Sequence, residues 1–468
     1  MLSKLIRIGF NYSALRYAVL VIALFKSLMI AEGLGPVILG SYSLLILVIE
    51  YLNYINLGVF NSMTRDVSVN FNKDQTTLLN QTEITGNALS FSLISLIILM
   101  IVMFVSYFYS FSFIPEEIYQ YYPLLFVLIF TYQLKQFILR YLRLNENYML
   151  IGWAEFISQS INFAGVYLFI DDYLLDAVMV SILISNLSLV LIGFIYSSGI
   201  RLSFNFIIMR NLVKDGIPML VHSLFLFFLM AIDRFMIIYL YTDRKALGLY
   251  QLGFILALGC FKAFESITFL FQPKWFEHFH GNNQNEKLKL KSLKDQTTFL
   301  EVGTVCLSIL GIAIVPFFIQ NFLPDYDTSI KISQLLIISF VFNGLTFFVN
   351  IYLMSNSKEY SMLPSIFISL VIATILNYFF YDLGYGLYGF AFTKVIAFLL
   401  YGIMIYLTLY LLSSQGKINN LLEIYSRIIL LFVPTVIIIY EELSLMYMLA
   451  LFILLYSKII FSIYKKIR

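Results

Sequence analysis

Long apolar runs follow one another along the whole chain and are separated by short polar segments. Apolar runs of about 18 residues or more with few charges are typical of membrane-spanning helices. Barrel strands would alternate apolar and polar residues, whereas these runs are continuous. The pattern predicts fourteen helices, at 9–32, 36–60, 86–109, 122–139, 148–170, 175–197, 216–241, 246–271, 297–320, 329–354, 361–381, 386–412, 428–440 and 443–464. Because the thirteenth is short, we expect an all-α polytopic membrane protein with 12–14 transmembrane helices.

The distribution of charge along these helices predicts their orientation. Hydrophobic residues make up 60% of the chain and charged residues 12%, about half the charged share of a soluble domain. If the N-terminus is cytoplasmic, 22 of the 30 Lys and Arg residues fall in inside segments, and the outside segments are acidic. Positive residues favour the cytoplasmic side of a membrane. We therefore expect both termini in the cytoplasm and the first apolar run to be a retained helix.

An internal repeat predicts how the helices are grouped. The segments KSLMIAEGLGPVILGSYSLL (26–45) and RFMIIYLYTDRKALGLYQLG (234–253) align without a gap, and a Leu-Gly-x-Tyr turn falls at the same point in both. Each segment closes one helix and opens the next. The repeat favours two pseudo-repeated bundles around a central cleft. We predict a six-helix bundle over 1–200, a second over 201–412 and an additional helix pair over 413–468.

Charges inside the predicted helices are the candidates for function. A charged side chain at membrane depth costs about 2.5–3.5 kcal/mol or more unless it faces a protein interior or a wet cavity. Unpaired cations in such a cavity imply an anionic substrate, and Arg binds phosphate through its planar fork. Arg16 is close enough to the inner surface to snorkel towards it. The candidate substrate-binding residues are Lys26, Arg234, Lys394, Arg16 and Lys262.

The spacing of acids and bases separates these candidates. Asp233 and Arg234 are adjacent, so on a helix their side chains diverge by about 100° and each needs a partner elsewhere. Lys262 and Glu265 are three residues apart and can satisfy each other on one helical face. Lys394 has no acid within four residues, which favours a functional role. The repeat places Lys26 opposite Arg234 as a second cation.

The acids within the helices could couple transport to an ion gradient. A carboxylate that titrates or binds an ion in only one conformation can link proton or sodium movement to transport. The candidates are Glu50, Asp233 and Glu265. No nucleotide-binding GxxxxGK[ST] motif or HExxH zinc motif is present in the sequence, and Cys260 and Cys306 lie in apolar runs, so we predict no cofactor and no metal site. The small net charge of +3 does not favour a nucleic-acid partner.

Three stretches carry a family resemblance. The hairpin IAEGLGPVILGSYSLLILVIEYLNYINLGV (30–59), the block 212–258 with its Asp-Arg pair and Leu-Gly-x-Tyr turn, and the stretch 352–402 resemble the polysaccharide transporter family, the O-antigen flippases of the Wzx type. That family belongs to the multidrug/oligosaccharidyl-lipid/polysaccharide exporter superfamily. Its members often carry a basic residue just before the first Leu-Gly turn. Here Glu32 and Gly33 occupy that position, so we do not assign a substrate-binding basic residue to it.

The resemblance implies a transporter and not an enzyme. It implies two V-shaped bundles that work by alternating access and move an undecaprenyl-diphosphate-linked oligosaccharide, an O-antigen or capsule repeat unit, from the inner to the outer leaflet of the bacterial cytoplasmic membrane. The expected partners are the lipid-linked oligosaccharide, membrane lipids and other polysaccharide assembly proteins. A cation-coupled drug antiporter of the same superfamily is the main alternative. A membrane polysaccharide polymerase or glycosyltransferase is disfavoured because no outside loop exceeds about fifteen residues.

Overall fold

The chain folds into helices, with no strand among the residues described below. The computed structural model describes residues 2–70, 77–109, 115–197, 199–270, 272–279, 286–413, 418–441 and 446–467. The helices are α1 (Leu2–Leu52), α2 (Val59–Asn70), α3 (Thr77–Tyr109), α4 (Glu116–Gln120), α5 (Tyr122–Leu144), α6 (Tyr148–Tyr196), α7 (Phe206–Leu240), α8 (Arg244–Leu270), α9 (Gln272–Phe279), α10 (Glu286–Phe322), α11 (Ser329–Leu345), α12 (Phe347–Ser355), α13 (Leu363–Asp382), α14 (Gly386–Leu412), α15 (Ile418–Tyr440) and α16 (Met446–Ile467). Short 3-10 helices occupy Asn53–Asn56, Pro324–Tyr326 and Glu359–Met362.

The helices have the length and composition of membrane spans. Within the described residues, ten are long and apolar enough to cross a membrane. Two of these, Ala14–Asn56 and Tyr148–Tyr196, contain 43 and 49 residues, and each is long enough for two crossings of about 20 residues. Two shorter apolar helices follow at Tyr425–Tyr440 and Met446–Phe461. The prediction of an all-α polytopic membrane protein is confirmed.

Backbone breaks divide the two longest helices close to the boundaries between predicted helices. Gly35 has a φ of +63°, which glycine adopts without steric penalty, and Pro36 then begins the second arm of α1. Leu174 interrupts α6 with a φ of +45°, a left-handed conformation that is unfavourable for a residue with a branched side chain. In the second half, α7 gives way to α8 where the repeat places a turn, and α13 gives way to α14 between the predicted helices 361–381 and 386–412. The predicted hairpins are therefore present in both halves.

Several helices begin or end away from their predicted bounds because the prediction followed apolar runs alone. The run 36–60 is not one helix: α1 ends at Leu52, and Val59 begins the short polar helix α2. The run 428–440 is only the apolar part of α15, which starts ten residues earlier at Ile418 among polar residues. Helices α2 and α9 were not predicted, since neither contains a long apolar run.

The chain divides into two compact units. Unit 1 comprises Met1–Phe227 and Leu270–Glu277, and unit 2 comprises Phe228–Phe269 and His278–Arg468. Helix α7 contributes its first part to unit 1 and its last part, which carries the Asp-Arg pair, to unit 2. In unit 1, α1 and α5 pack against α6, and in unit 2, α11 and α13 pack against α14. The domain bounds at 200 and 412 stay a prediction.

Candidate functional site

Three helices of unit 2 bring an acid, a base and a tyrosine together in its interior. Asp233 is at the end of α7, Tyr250 near the start of α8 and Lys394 in α14, and at most 3% of each residue is exposed. The Lys394 ammonium group donates to Asp233 Oδ2 at 2.6 Å and also to the carbonyl oxygen of Met230. The Tyr250 hydroxyl donates to the same Asp233 oxygen. The Asp233 carboxylate is thereby held by two neighbouring helices.

The guanidinium group of Arg234 packs over an aromatic ring of α8. Its Cζ atom lies 3.9 Å from the centre of the Phe254 ring, a cation–π contact, and Lys394 Nζ lies 5.2 Å from the same ring. Only 2% of Arg234 is exposed, and its Nε atom is buried without a hydrogen-bond partner. The backbone amide of Arg234, not its side chain, donates to Asp233 Oδ1. In the described part of the chain, no carboxylate forms an ion pair with the Arg234 side chain.

This cluster carries more positive than negative charge. Arg234 and Lys394 approach the same aromatic ring and repel each other, while Asp233 can neutralise only one of them. Removing a charge from water costs several kcal/mol unless an opposite charge and hydrogen bonds replace the water. A buried cation without a counter-charge favours an anion at this place. Arg is suited to a phosphate or carboxylate, because its donors form a planar fork that can bind two oxygens.

The structure changes the interpretation of one predicted residue, Lys394. Adjacent Asp233 and Arg234 do not form a side-chain pair, as helical geometry requires. Lys394, which has no acid nearby in sequence, is paired with Asp233 from another helix. Its apparent isolation in the sequence therefore does not mean that it is unpaired in the fold.

Two other predicted cations lie in unit 1, where both contact α6. Arg16 forms an ion pair with Glu155 instead of snorkelling to a surface. Lys26 donates to Gln159 Oε1 at 3.5 Å, one turn further along α6. Arg16 and Lys26 are ten residues apart on α1, which corresponds to about 15 Å along a helix, so they do not share one small ligand site.

The remaining candidates are Lys262, Glu265 and Glu50. Lys262 is exposed on α8, and the side chain of Glu265 is outside the described residues, so their predicted pairing stays a prediction. Glu50 is partly buried at the end of α1, and its charge acts on the hydroxyl groups of Tyr42, Tyr54 and Tyr132. Its side chain has no hydrogen bond or ion pair to any residue that the structure describes.

Sequence reasoning missed two parts of the cluster. Tyr250 belongs to the Leu-Gly-x-Tyr motif, which was interpreted as a turn, although its hydroxyl bonds the central carboxylate. Phe254 lies one turn further along α8, and the cationic groups of Arg234 and Lys394 both lie over its ring. The repeat contained a signal for Tyr250, since the motif stood at a fixed distance from Arg234. The sequence contained no signal that singled out Phe254 among the 46 phenylalanines of the chain.

A second buried ion pair was also missed. Glu301 of α10 is fully buried and accepts two bonds from Arg427 of α15, at 3.1 Å from Nε and 2.8 Å from Nη2. The Tyr456 hydroxyl of α16 donates to Glu301 at 2.9 Å. Both carboxylate oxygens of Glu301 accept hydrogen bonds, so its buried charge is compensated within this group. It joins the last two helices to α10 and is best explained as structural.

Fold and site together define a multi-pass helical membrane protein with a cation-rich cluster buried in one of its two units. Solved structures with the same fold include MATE transporters and a lipid II flippase. The lipid II flippase MurJ, in an inward closed conformation, has a TM-score of 0.63 and 15% identity, over 98% of this chain and 99% of MurJ. A Vibrio cholerae MATE transporter, VcmN, has a TM-score of 0.66 and 13% identity, over 87% and 96% of the two chains.

A further structural neighbour was solved with an ion. The MATE transporter ClbM in complex with Rb+ has a TM-score of 0.59 and 15% identity, covering 90% of this chain and 96% of ClbM. The chain matches no protein-family profile and no curated protein sequence. At these identities the likeness establishes the fold of this chain and not its substrate.

Proposed function

We propose that this protein is a flippase that moves an undecaprenyl-diphosphate-linked oligosaccharide from the inner to the outer leaflet of the bacterial cytoplasmic membrane. The fold supports this proposal, because it is shared over nearly the full length of both chains with a flippase for lipid II. Ten or more apolar helices suit a substrate whose lipid tail stays in the bilayer. The glycan would be an O-antigen or capsule repeat unit.

The observation that carries the proposal is the surplus positive charge of the buried cluster in unit 2. Asp233 is paired with Lys394 at 2.6 Å. Arg234 is buried against the Phe254 ring and has no acidic partner among the described residues. A diphosphate would supply the missing negative charge and match the donors of the guanidinium group. Lys26, Arg16 and Lys262 stay predicted contributors to substrate binding.

Transport against a gradient requires an energy source. Asp233 is the strongest candidate for coupling, since its carboxylate is the only acid bonded to Lys394 in the described part of the chain. Protonation of Asp233 or ion binding to it would release Lys394 and raise the positive charge available to the substrate. Glu50 and Glu265 stay alternative coupling residues. The partners in this proposal are the lipid-linked oligosaccharide, the surrounding lipids and other polysaccharide assembly proteins.

Deletion of the gene, followed by lipid analysis, tests the proposal. We expect a lipid-linked oligosaccharide to accumulate on the inner leaflet and surface polysaccharide to be lost. Wild-type protein and Arg210→Gln should restore export, whereas Arg234→Gln should not, at matched expression. Arg210 is the matched control because it is an exposed arginine on the same helix. Normal surface polysaccharide in the deletion strain, with no accumulated lipid, would contradict the proposal.

A cation-coupled drug antiporter is the second candidate. It is favoured by the buried carboxylate of Asp233 and by the MATE transporters among the structural neighbours, one of them solved with Rb+. This function predicts that deletion lowers drug tolerance and leaves polysaccharide unchanged. It also predicts that Asp233→Asn reduces transport more than Arg234→Gln does, because the acid would bind the cation.

A further inference from the structure

An arginine of unit 1, Arg140, lies inside a helix that the sequence pattern ended too early. The predicted helix stops at 139, which assigns Arg140 to a cytoplasmic segment as one of many positive charges. In the structure α5 continues to Leu144, so Arg140 lies about 6 Å before the end of the helix, and its side chain is only partly exposed. The predicted orientation of the chain places this end of α5 on the cytoplasmic side.

Arg140 is held by a neutral group that leaves one edge of its guanidinium group accessible. Its Nη1 atom donates to Asn61 Oδ1 of α2 at 2.7 Å, and an amide oxygen orients the cation without neutralising it. The Nε and Nη2 atoms have no hydrogen bond to any described residue, yet neither is buried without a partner, so both can reach a ligand. Arg427 uses this same edge to bind both carboxylate oxygens of Glu301, at 3.1 and 2.8 Å. The corresponding edge of Arg140 is therefore suited to two oxygens of an anion.

The electrostatic surroundings of Arg140 contain no compensating acid. The groups that act on its charge are Arg143, three residues further along α5, and the hydroxyl groups of Tyr132 and Tyr54. Glu50 acts on both of these tyrosines but not measurably on Arg140. No carboxylate in the part of the chain that the structure describes forms an ion pair with Arg140. A partly desolvated cation in this position favours an anionic ligand.

Other arginines of unit 1 are neutralised by the fold itself. Arg65 pairs with Asp215 at 3.1 Å, and Arg16 pairs with Glu155. In each case a helix distant in sequence supplies the carboxylate. The lack of such an acid at Arg140 therefore distinguishes it from its neighbours and is not a general property of the cations in this unit.

We propose that Arg140, oriented by Asn61, binds a phosphate group at the cytoplasmic end of unit 1. The Nε–Nη2 edge donates to two phosphate oxygens, the geometry for which an arginine fork is suited. A lipid-linked diphosphate and a phospholipid headgroup share this chemistry, and both are present in the inner leaflet. The site is additional to the cluster around Arg234, and only the identity of its natural ligand rests on the proposed flippase function.

Protection of Arg140 from an arginine-specific reagent tests the proposal without altering the protein. Full-length wild-type protein in phosphatidylcholine nanodiscs would be treated with phenylglyoxal, and modification would be followed at each arginine by mass spectrometry. The probes are inorganic diphosphate, farnesyl diphosphate and the uncharged farnesol. At about ten times its apparent Kd, each diphosphate should slow the modification of Arg140 about tenfold, because a bound anion covers the reactive edge. Farnesol should leave the rate unchanged.

Two arginines of the same chain serve as internal controls. Arg210 is exposed on α7, so its modification should be fast and independent of the probes. Arg427 already binds Glu301 through its Nε and Nη2 atoms, so its modification should be slow with and without a probe.

An isosteric variant tests the role of the missing acid. Asn61→Asp keeps the size of the side chain and places a carboxylate against Arg140, so farnesyl diphosphate should no longer protect Arg140 in this variant. Asn321→Asp adds the same charge at an exposed position of α10 and should retain the protection.

The outcomes separate the site from its alternatives. Protection by inorganic diphosphate or farnesyl diphosphate supports the phosphate site. Protection in phosphatidylglycerol nanodiscs without a probe supports it with a phospholipid headgroup as the ligand. Unchanged modification of Arg140 with every phosphate-bearing probe and lipid, equal slowing at Arg210, or full protection in Asn61→Asp would overturn the proposal.

This proposal and the flippase function fail in different measurements. If diphosphate protects Arg140 but Arg234→Gln exports polysaccharide normally, the proposed role of the unit 2 cluster is wrong and the phosphate site stands. If export depends on Arg234 but no phosphate-bearing probe or lipid protects Arg140, the phosphate site is wrong and the flippase function stands.

Discussion

Replacing Asp233 by Asn should destabilise the protein strongly, because it leaves two buried cations beside each other. In the wild-type fold, Lys394 Nζ lies 2.6 Å from Asp233 Oδ2, and each side chain is only 2% exposed. Asn keeps the size of the side chain and can still accept from Tyr250, so the change removes mainly the charge. Removal of one partner from a buried ion pair costs about 3–5 kcal/mol, since the other charge stays desolvated.

A double-mutant cycle isolates the ion pair from other effects. The single variants are Asp233→Asn and Lys394→Gln, and the double variant has the same net charge in the cluster as the wild type. We expect each single variant to lose about 3 kcal/mol of unfolding free energy and the double variant to lose less than their sum by about 2 kcal/mol. Titration with SDS in mixed micelles, followed by far-UV circular dichroism, measures these free energies.

Asp215→Asn supplies the matched control on the same helix. Asp215 pairs with Arg65 at 3.1 Å, but its side chain is 45% exposed, so water compensates for the lost pair. Exposed ion pairs contribute about 0–1 kcal/mol. If Asp233→Asn were no more destabilising than Asp215→Asn, or if the two single changes were additive within about 0.5 kcal/mol, the inferred Asp233–Lys394 interaction would be refuted.

Two further predictions concern stability outside the cluster. Glu301→Gln should lower the unfolding free energy by about 3 kcal/mol in the same SDS titration, because Arg427 then loses the carboxylate that accepts two of its hydrogen bonds. Arg427→Gln in the Glu301→Gln background should recover part of the loss, and no recovery would contradict the structural role of this pair. Gly58→Ala should reduce the yield of folded protein in detergent far more than Gly35→Ala. Both glycines have a positive φ, but only a Cβ atom at Gly58 would lie 2.2 Å from the Gly216 carbonyl oxygen. Equal yields of the two variants would contradict this close backbone approach.

Much of the fold could be predicted from the sequence because each membrane helix satisfies its own backbone and must present a continuous apolar run. The turns at Gly35 and before Arg244 were also predictable, since the repeat preserves them. Helix α2 was not, because its polar sequence gives no membrane signal. Short segments of this kind fold where tertiary contacts favour them, which a hydropathy pattern does not report.

The chemistry of the site was only partly predictable. Local spacing showed that Asp233 and Arg234 diverge, but it could not identify Lys394 as the partner, which is 161 residues away. The same limitation applies to Glu301 and Arg427, which are separated by 126 residues. Such contacts depend on which helices are neighbours and on how each is rotated. The single sequence contains neither kind of information for helices that are apolar on most faces.

The central claim, that the buried cation-rich cluster moves a lipid-linked oligosaccharide across the membrane, is tested most directly in proteoliposomes. Purified protein would be reconstituted with undecaprenyl-diphosphate-linked oligosaccharide from the deletion strain, and oxidation of the sugar by membrane-impermeant periodate would be followed over time. Wild-type protein and Arg210→Gln should expose the inner-leaflet pool to the reagent, whereas Arg234→Gln should leave it protected. An inner pool that stays protected with wild-type protein, as in protein-free vesicles, would contradict the account.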